Sequence, residues 1–516
     1  MSTKTLQSPQ PSCRWLRVQW LATVLTALCV LLLVVEIQRP SYWIDEKVSV
    51  DIASADSAQQ VIENVIQDER RPPAYHLGLW AWMRLIGSTE RAARLYSVAW
   101  MMLFVPATFQ LARKLTDEGG ALFAAFLAAS SPIVISYGQT VRYYAMVAAL
   151  SALSYTWFLA VMRQKHKPWT RYALVTLALL YCDYPAYGVV AAQNLLAILW
   201  WRDRSLTSRH PHWKWIGIQT CLATITALWI PVVLVQSTRD FGAADLSNSL
   251  TGAALKIVYP FYAWTVGETL FPWTFLALVG ILIGGLLLVH GFIQLKRRHA
   301  RMTWLIAFAA PFSVSQVLLA VVATDSPFVN APARSMACAA LLYALLGTGL
   351  ARLNPKWLQC VALIGLTIIH GLALANYYRG VDFINSIYNT PAREVAHAIT
   401  AQTVSGDAIV SEGDSLIEFY LPGNLRASHF FPQQMSEIQA YLMAHPQAAV
   451  WQVTMGRDRT RNNVSLNLSE WLKTRYVLCA STGFAEKDAV YRELKSRLLG
   501  REAYRYRLQV DKYCPQ

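Results

Sequence analysis

Two adjacent carboxylates, Asp45 and Glu46, stand ten residues past the end of the first membrane-length apolar run, within the string SYWIDEKVSV. Paired acids at a membrane surface are costly if buried and idle if merely solvated. Within reach of a lipid headgroup, such an acid can take the proton of an incoming hydroxyl. Other polar residues stand in similar places. Trp43 lies beside the acid pair; Arg70 and Arg71 precede Pro72-Pro73, with Tyr75 and His76 just beyond; Arg142 and Tyr143 fall between the third and fourth apolar runs. Asp183 sits at the turn between the fifth and sixth runs, Glu268 precedes the eighth, and Arg334 opens the tenth. Arginines can hold a phosphate by charge-assisted, often bidentate contacts, leaving a nearby carboxylate to activate an acceptor hydroxyl. Each residue also has a plainer reading. Arg142 and Arg334 serve equally as interface anchors, Arg70 as loop charge, Asp183 as the partner of a neighbouring Arg, and Trp43 as a belt aromatic.

The elements that must position these residues are membrane helices. The 516-residue chain is 55% hydrophobic with 19 Trp and a mean hydropathy of +0.30, the composition of a polytopic membrane protein. Its formal charge of +15 would suggest a nucleic-acid partner in a soluble chain. Here the basic residues cluster between apolar runs and act as topology signals, so no nucleic-acid partner is expected. Eleven spans are expected, near 15–37, 94–112, 119–137, 143–162, 170–182, 186–201, 215–235, 272–294, 302–323, 333–350 and 357–376. The fifth is short and is expected to break near Tyr184-Pro185. Lys and Arg gather at alternate junctions, for example Arg14 and Arg17, Arg113 and Lys114, Lys296 to Arg298, and Arg352 and Lys356. Beyond the long first loop, the opposite junctions hold only Arg142, Arg239, Lys256 and Arg334. The positive-inside rule then places the N-terminus in the cytoplasm, and an odd number of spans places the tail outside.

This divides the chain into a transmembrane module, 1–376, with a first extracytoplasmic loop at 38–93, and a C-terminal extracytoplasmic domain, 377–516. The loop is expected to hold a polar helical stretch over Val48–Ile66 and an interfacial helix over Ala74–Ile86, which is too short to span comfortably. The tail alternates helical and strand-like segments: helices over 393–403, 434–444 and 469–474, and strands over 407–411, 448–454 and 476–480. That is the rhythm of a small α/β domain with a partly parallel sheet. It carries no Gly-rich phosphate fingerprint, so a scaffold or acceptor-docking role suits it better than nucleotide binding. Cys479 and Cys514 both fall in the tail, on the expected oxidising side, where pairing is open to them but is not decided by their sequence spacing. No CxxC or HxxxH cluster points to a protein-built zinc site. Asn463 and Asn467 open glycosylation sequons, a pattern common by chance.

Taken together, these strings resemble the GT-C superfamily of membrane glycosyltransferases. SYWIDEKVSV is similar to the W-x-D-E opening of that superfamily's first extracytoplasmic loop. RRPPAYHLGLWAWMRLIGSTERAARLYSVAW resembles its PPLYY…LWxRLFGxSExAxRLPS stretch, ISYGQTVRYYAMVAAL its YxQEARxYALxxL segment, and LALLYCDYPAYGVVAAQNLLA its LALYTHYFxLxxLxAQ segment. SPFVNAPARSMACAALLYALLG is a fainter echo of a later PRY…P span. The resemblance is nearest to glycosyltransferase family 39 and its bacterial relatives, including protein O-mannosyltransferases and aminoarabinose lipid A transferases. It covers about 40–200 well and 325–350 loosely.

The resemblance implies a GT-C fold in the inner membrane, a polyprenyl-phosphate-linked sugar as donor, and inverting transfer to a hydroxyl acceptor at the outer face. The acceptor would be lipid A, another glycan or lipid, or a protein. Asp45 then corresponds to the catalytic acid, with Glu46 beside it. Arg71 takes the place of a phosphate-contacting lysine, with Arg142, Arg70 and Arg334 as further phosphate ligands. Tyr143, Asp183, Tyr75, His76, Trp43 and Glu268 would line the donor and acceptor pocket. No cofactor is required; a divalent cation on Asp45 and Glu46 is compatible with the pattern but not demanded by it. Two departures stand out: Thr140 where the family usually has Glu, and Asp183 where it often has His.

Three rivals remain. A transporter or flippase of lipid-linked sugars predicts mid-membrane charges and repeated halves, which the sequence lacks. A non-catalytic envelope-polymer scaffold would use the tail as its binding module. An O-antigen ligase or polymerase would depend on a large late loop.

Overall fold

The computed structural model describes residues 13–163, 168–202, 212–238, 250–298, 331–455, 463–484 and 508–516. The chain is a polytopic α-helical membrane protein with a small sheet in its C-terminal part. Among the described residues five helices are long and apolar enough to cross a membrane: Leu16–Val34, Glu90–Leu115, Tyr144–Arg163, Phe275–Arg297 and Lys356–Arg379. The count rises to seven if two bent pairs are each one span. The expected ninth span, 302–323, lies outside the described residues.

Both bends depart from the straight spans expected at 119–137 and 215–235. The first turns by 54° between Glu118–Ser130 and Pro132–Gly138, the second by 47° between His212–Ala227 and Ile230–Gln236. Proline is the cause in each case. Pro132 and Pro231 occupy the first turn of the second helix of the pair, where a missing N–H is tolerated but continuation of the preceding helix is not. The break expected near Tyr184-Pro185 is present: helix Trp169–Leu180 ends, a single 3-10 turn covers Tyr184–Ala186, and helix Tyr187–Arg202 follows.

The described fold divides into two compact units. The first takes residues up to 37, 49–267 and 272–373. Its helices pack through small residues, as expected where lipid supplies no hydrophobic drive for association. A side chain at Gly347 would run into the backbone of Gly120 and Ala124 on helix Glu118–Ser130. Arg94, almost fully buried, is matched by Glu90 one turn earlier at 3.1 Å and by the Ile37 carbonyl at 2.6 Å.

The first loop folds as three helices. The polar stretch expected over Val48–Ile66 is two of them, Ile44–Ala53 and Ala58–Asp68. They separate at Ser54 to Ser57, where the Ser57 side chain caps the second helix by accepting from Gln60 N–H. Helix Ala74–Ile86 buries Tyr75, His76, Leu79 and Met83 and leaves Leu85 and Ile86 exposed. The indoles of Trp80 and Trp82 donate to the carbonyls of Ala55 and Ala92, so both aromatics also tie the loop to its neighbours.

The second unit takes 38–48, 268–271 and 374–516. Its sheet holds β1 (Ala408–Ser411), β2 (His429–Phe430), β3 (Val450–Met455), β4 (Tyr476–Phe484) and β5 (Leu508–Pro515), in the order β2-β1-β3-β5-β4. β2, β1 and β3 are parallel, while β5 runs antiparallel to both β3 and β4. Ala408, Val410 and Val450 pack with Ile438 and Leu442 of helix Met435–Ala444 and with Leu468 and Leu472 of helix Asn463–Lys473. Cys479 and Cys514 form a disulfide between β4 and β5.

Candidate active site

Within the first unit, two chain corners meet. Pro72-Pro73 ends the extended stretch after helix Ala58–Asp68, and the Ala74 N–H donates to the Tyr181 carbonyl at 2.9 Å. This brings the residues before the prolines to the break that carries Asp183. Arg71 Nη1 donates to Asp183 Oδ1 at 2.9 Å, and its guanidinium lies 3.8 Å over the Tyr143 ring. Glu69, which the sequence reading did not single out, is the hub. Its Oε2 accepts from Arg142 Nη1 at 3.0 Å, and its Oε1 lies 3.6 Å from Arg71 Nε. Arg142 Nη1 also donates to the Ser49 hydroxyl at 2.9 Å.

The electrostatics follow from burial and charge together. Burial pulls the Glu69 carboxyl upward, but Arg142 and then Arg71 outweigh it and hold it at about 2. Burial dominates at Asp183 and lifts it from 3.8 to about 6, against the pull of Arg71 and Arg334. Burial likewise drives His76 down to about 4, which Glu69 only partly opposes. The His76 ring is therefore neutral near pH 7, and its 3.9 Å approach to Glu69 is not an ion pair. Neither ring nitrogen of His76 makes a hydrogen bond among the described residues, and the same holds for Tyr143 Oη and Arg334 Nε. Buried polar atoms left so are uncommon and costly; a polar, anionic ligand would satisfy them.

Of the residues expected at the site, Arg71, Arg142, Asp183, Tyr143 and His76 are thus brought together. Arg334 acts on Asp183 through its charge, and Tyr75 packs edge-on against His76. The Arg70 side chain lies at the surface, while its backbone N–H donates to Glu69 Oε1 at 2.9 Å. The Thr140 hydroxyl donates to the Ser136 carbonyl of helix Pro132–Gly138 at 2.9 Å.

The other expected residues belong to the second unit. Asp45 is half-buried in the first turn of helix Ile44–Ala53, one turn before Ser49. Glu46 is buried, and its carboxylate accepts from the Trp43 N–H at 3.3 Å, the return half of a capping box. Trp43 packs edge-on against Tyr388 at 5.1 Å. Glu268 is buried, and its carbonyl accepts from Ile384 N–H. Among the described residues no three His, Cys, Asp or Glu side chains converge as a metal site.

The family described as dolichyl-phosphate-mannose-protein mannosyltransferase matches residues 70–230, the segment that carries Arg71, Arg142 and Asp183. The structure is similar to that of ArnT from Cupriavidus metallidurans in the apo state, with 13% identity, a TM-score of 0.54, and coverage of 96% of this chain and 98% of that one. The same figures hold for ArnT bound to undecaprenyl phosphate. No curated protein matches the sequence. The chain has the GT-C fold. Residues 70–230 match the mannosyltransferase family, and the likeness to ArnT is one of fold.

Asp183 makes stability depend on pH. Its folded-state value lies above its ordinary one, so between about pH 4 and pH 6 the folded state binds more protons than the unfolded state, and stability falls as pH rises through that window. Burial of neutral His76 works in the opposite direction over an overlapping window, so the effect is read by difference: from pH 4.5 to 7 the unfolding temperature of wild type is expected to fall relative to that of Asp183→Asn. Thermal unfolding of both proteins in lipid nanodiscs measures it, and parallel profiles would contradict it.

Proposed function

We propose that the protein is an inverting glycosyltransferase of the inner membrane that moves a sugar from a polyprenyl phosphate to an acceptor hydroxyl at the outer face. The observation that carries this reading is the guanidinium pair of half-buried Arg71 and buried Arg142, held by Asp183 and Glu69, beside buried polar atoms that lack partners among the described residues. Arg71 and Arg142, with Arg334, would bind the donor phosphate. As the glycosidic C–O bond breaks, the phosphate leaves with the electron pair and its negative charge grows. Arginines fixed in advance stabilise that growth more than they stabilise the bound donor.

Asp45 would accept the proton of the acceptor hydroxyl as its oxygen attacks the anomeric carbon from the opposite face. Glu46, committed to the helix cap, supports Asp45 by fixing the first turn of its helix. Ser49, also on helix Ile44–Ala53, accepts from Arg142. His76 and Tyr143 would meet donor oxygens. The N-terminus would face the cytoplasm and the tail the periplasm. The undecaprenyl phosphate bound in that structure of ArnT suggests the lipid class of the donor.

The test is mass spectrometry of envelope glycolipids, glycans and glycoproteins from cells with the gene, without it, and with Asp45→Asn. A glycoform present only with the wild-type gene is the expected result. An unchanged glycoform profile in all three would overturn the reading, and a glycoform restored by Asp45→Asn would favour a transporter or scaffold.

A further inference from the structure

The tail is more than a neighbouring module, because within the second unit it grips the segment that leads into Asp45. The Tyr42 N–H donates to Tyr420 Oη at 2.6 Å, and the Arg393 N–H donates to Ser41 Oγ at 3.0 Å. The Arg393 guanidinium donates to the carbonyls of Gln38 and Arg39 and lies 5.0 Å over the Tyr420 ring. Tyr42 packs on Phe419 at 5.3 Å, Lys47 lies over the same ring at 5.4 Å, and Trp43 abuts Tyr388. Tyr42 and Trp43 are almost wholly buried by these contacts.

The gripping side chains are themselves anchored. Phe419 and Tyr420 belong to the short helix Ile417–Tyr420, which follows β1 through Leu416, a non-glycine residue at φ +55°. Such a conformation persists only where the surrounding structure holds it. Arg426 secures the far end by donating to the carbonyls of Leu421 and Phe419. The central sheet thus determines where Tyr420 stands, and Tyr420 determines where Tyr42 stands.

We propose that the C-terminal α/β domain is the clamp that orients the base-bearing helix, with Tyr420 and Arg393 as positioning residues for Asp45. The proposal rests on the reading of Asp45 as the base. Asp45 is the second residue of its helix, so the main chain of residues 41–43 sets the direction of its carboxylate. A general base must be held within a fraction of an ångström of its productive position, and a misplacement of about 1 Å costs roughly a hundredfold in rate.

The experiment uses the full chain in nanodiscs and reads amide hydrogen exchange together with transfer kinetics from an undecaprenyl-phosphate sugar. Tyr420→Phe removes the acceptor for Tyr42 N–H. It should raise exchange of the peptide covering 41–48 about tenfold while β1 and β3 exchange as in wild type. It should also lower kcat about tenfold or more with KM within about twofold. Phe419→Leu, which removes only the ring contacts, should give the same split at smaller size and serves if Tyr420→Phe disturbs folding. Unchanged kcat despite faster exchange at 41–48 would overturn the clamp, as would a loss confined to KM. A wild-type protein without transfer activity would sink the reading of Asp45 and leave the exchange result standing.

Discussion

Asp45→Asn is expected to reduce sugar transfer by about two to four orders of magnitude, the usual contribution of a positioned general base. The substitution keeps the side chain's size and removes its negative charge and, with it, the ability to take a proton. Expression, unfolding temperature and binding of undecaprenyl phosphate should therefore stay near wild type. The effect should fall on kcat and on kcat/KM alike, because proton transfer occurs only in the transition state. Glu46→Gln provides the contrast. Its carboxylate accepts from the Trp43 N–H, and a side-chain amide retains an acceptor for that bond, so the activity loss should be much smaller. Equal losses from the two substitutions would mean that the acid pair works as a unit, and a fully active Asp45→Asn would remove the base altogether.

The second large effect is expected at Arg142. Arg142→Gln removes a phosphate ligand, worth about 10²–10³ in rate for a donor aimed at developing charge. It also strips Glu69 of its 3.0 Å partner inside the fold. Breaking a buried pair by removing one partner costs about 3–5 kcal/mol, whereas replacing both by neutral groups is often close to neutral. The double variant Glu69→Gln with Arg142→Gln should therefore recover most of the unfolding temperature lost in the single variant and none of the transfer activity. Thermal unfolding and initial rates of the four proteins of the cycle measure this. Recovery of activity in the double variant would make Arg142 a structural partner of Glu69 alone.

Glu69 also shows where the sequence stops being informative. In DERRPP it is one of four consecutive charges before a double proline, and nothing local separates it from a solvated loop acid. Its role appears only when the Ala74 to Tyr181 hydrogen bond folds the proline corner back on the Asp183 break. The break itself was legible, because Tyr184-Pro185 cannot continue a helix; its partner was not. Arg71, Arg142 and Asp183 were legible as charges out of place at one membrane face, and the structure joins them through Glu69 and Tyr143.

The fold divides along the same line. Helices Ala74–Ile86 and Met435–Ala444 and strands β1 and β3 follow from periodicity and turn residues. β2 is only two residues long, too short to carry a pattern. β5 buries Leu508, Val510 and Tyr513, but Asp511 and Lys512 interrupt its apolar signal, and its pairing with both β3 and β4 is a long-range matter. The bends at Pro132 and Pro231 were hidden because hydropathy averages over a proline that merely redirects an apolar run. The grip of Tyr420 on Tyr42, 378 residues apart, leaves no local trace at either position.

Arg71 and Arg142 are the proposed phosphate seat. A cryo-electron microscopy map of the wild-type protein in nanodiscs with undecaprenyl phosphate tests it most directly. The predicted result is phosphate density within hydrogen-bond distance of the Arg71 and Arg142 guanidiniums, roughly 3 Å, with Asp183 or Glu69 drawn away from its arginine. Phosphate density elsewhere, with the Arg71–Asp183 and Arg142–Glu69 pairs intact, would contradict it.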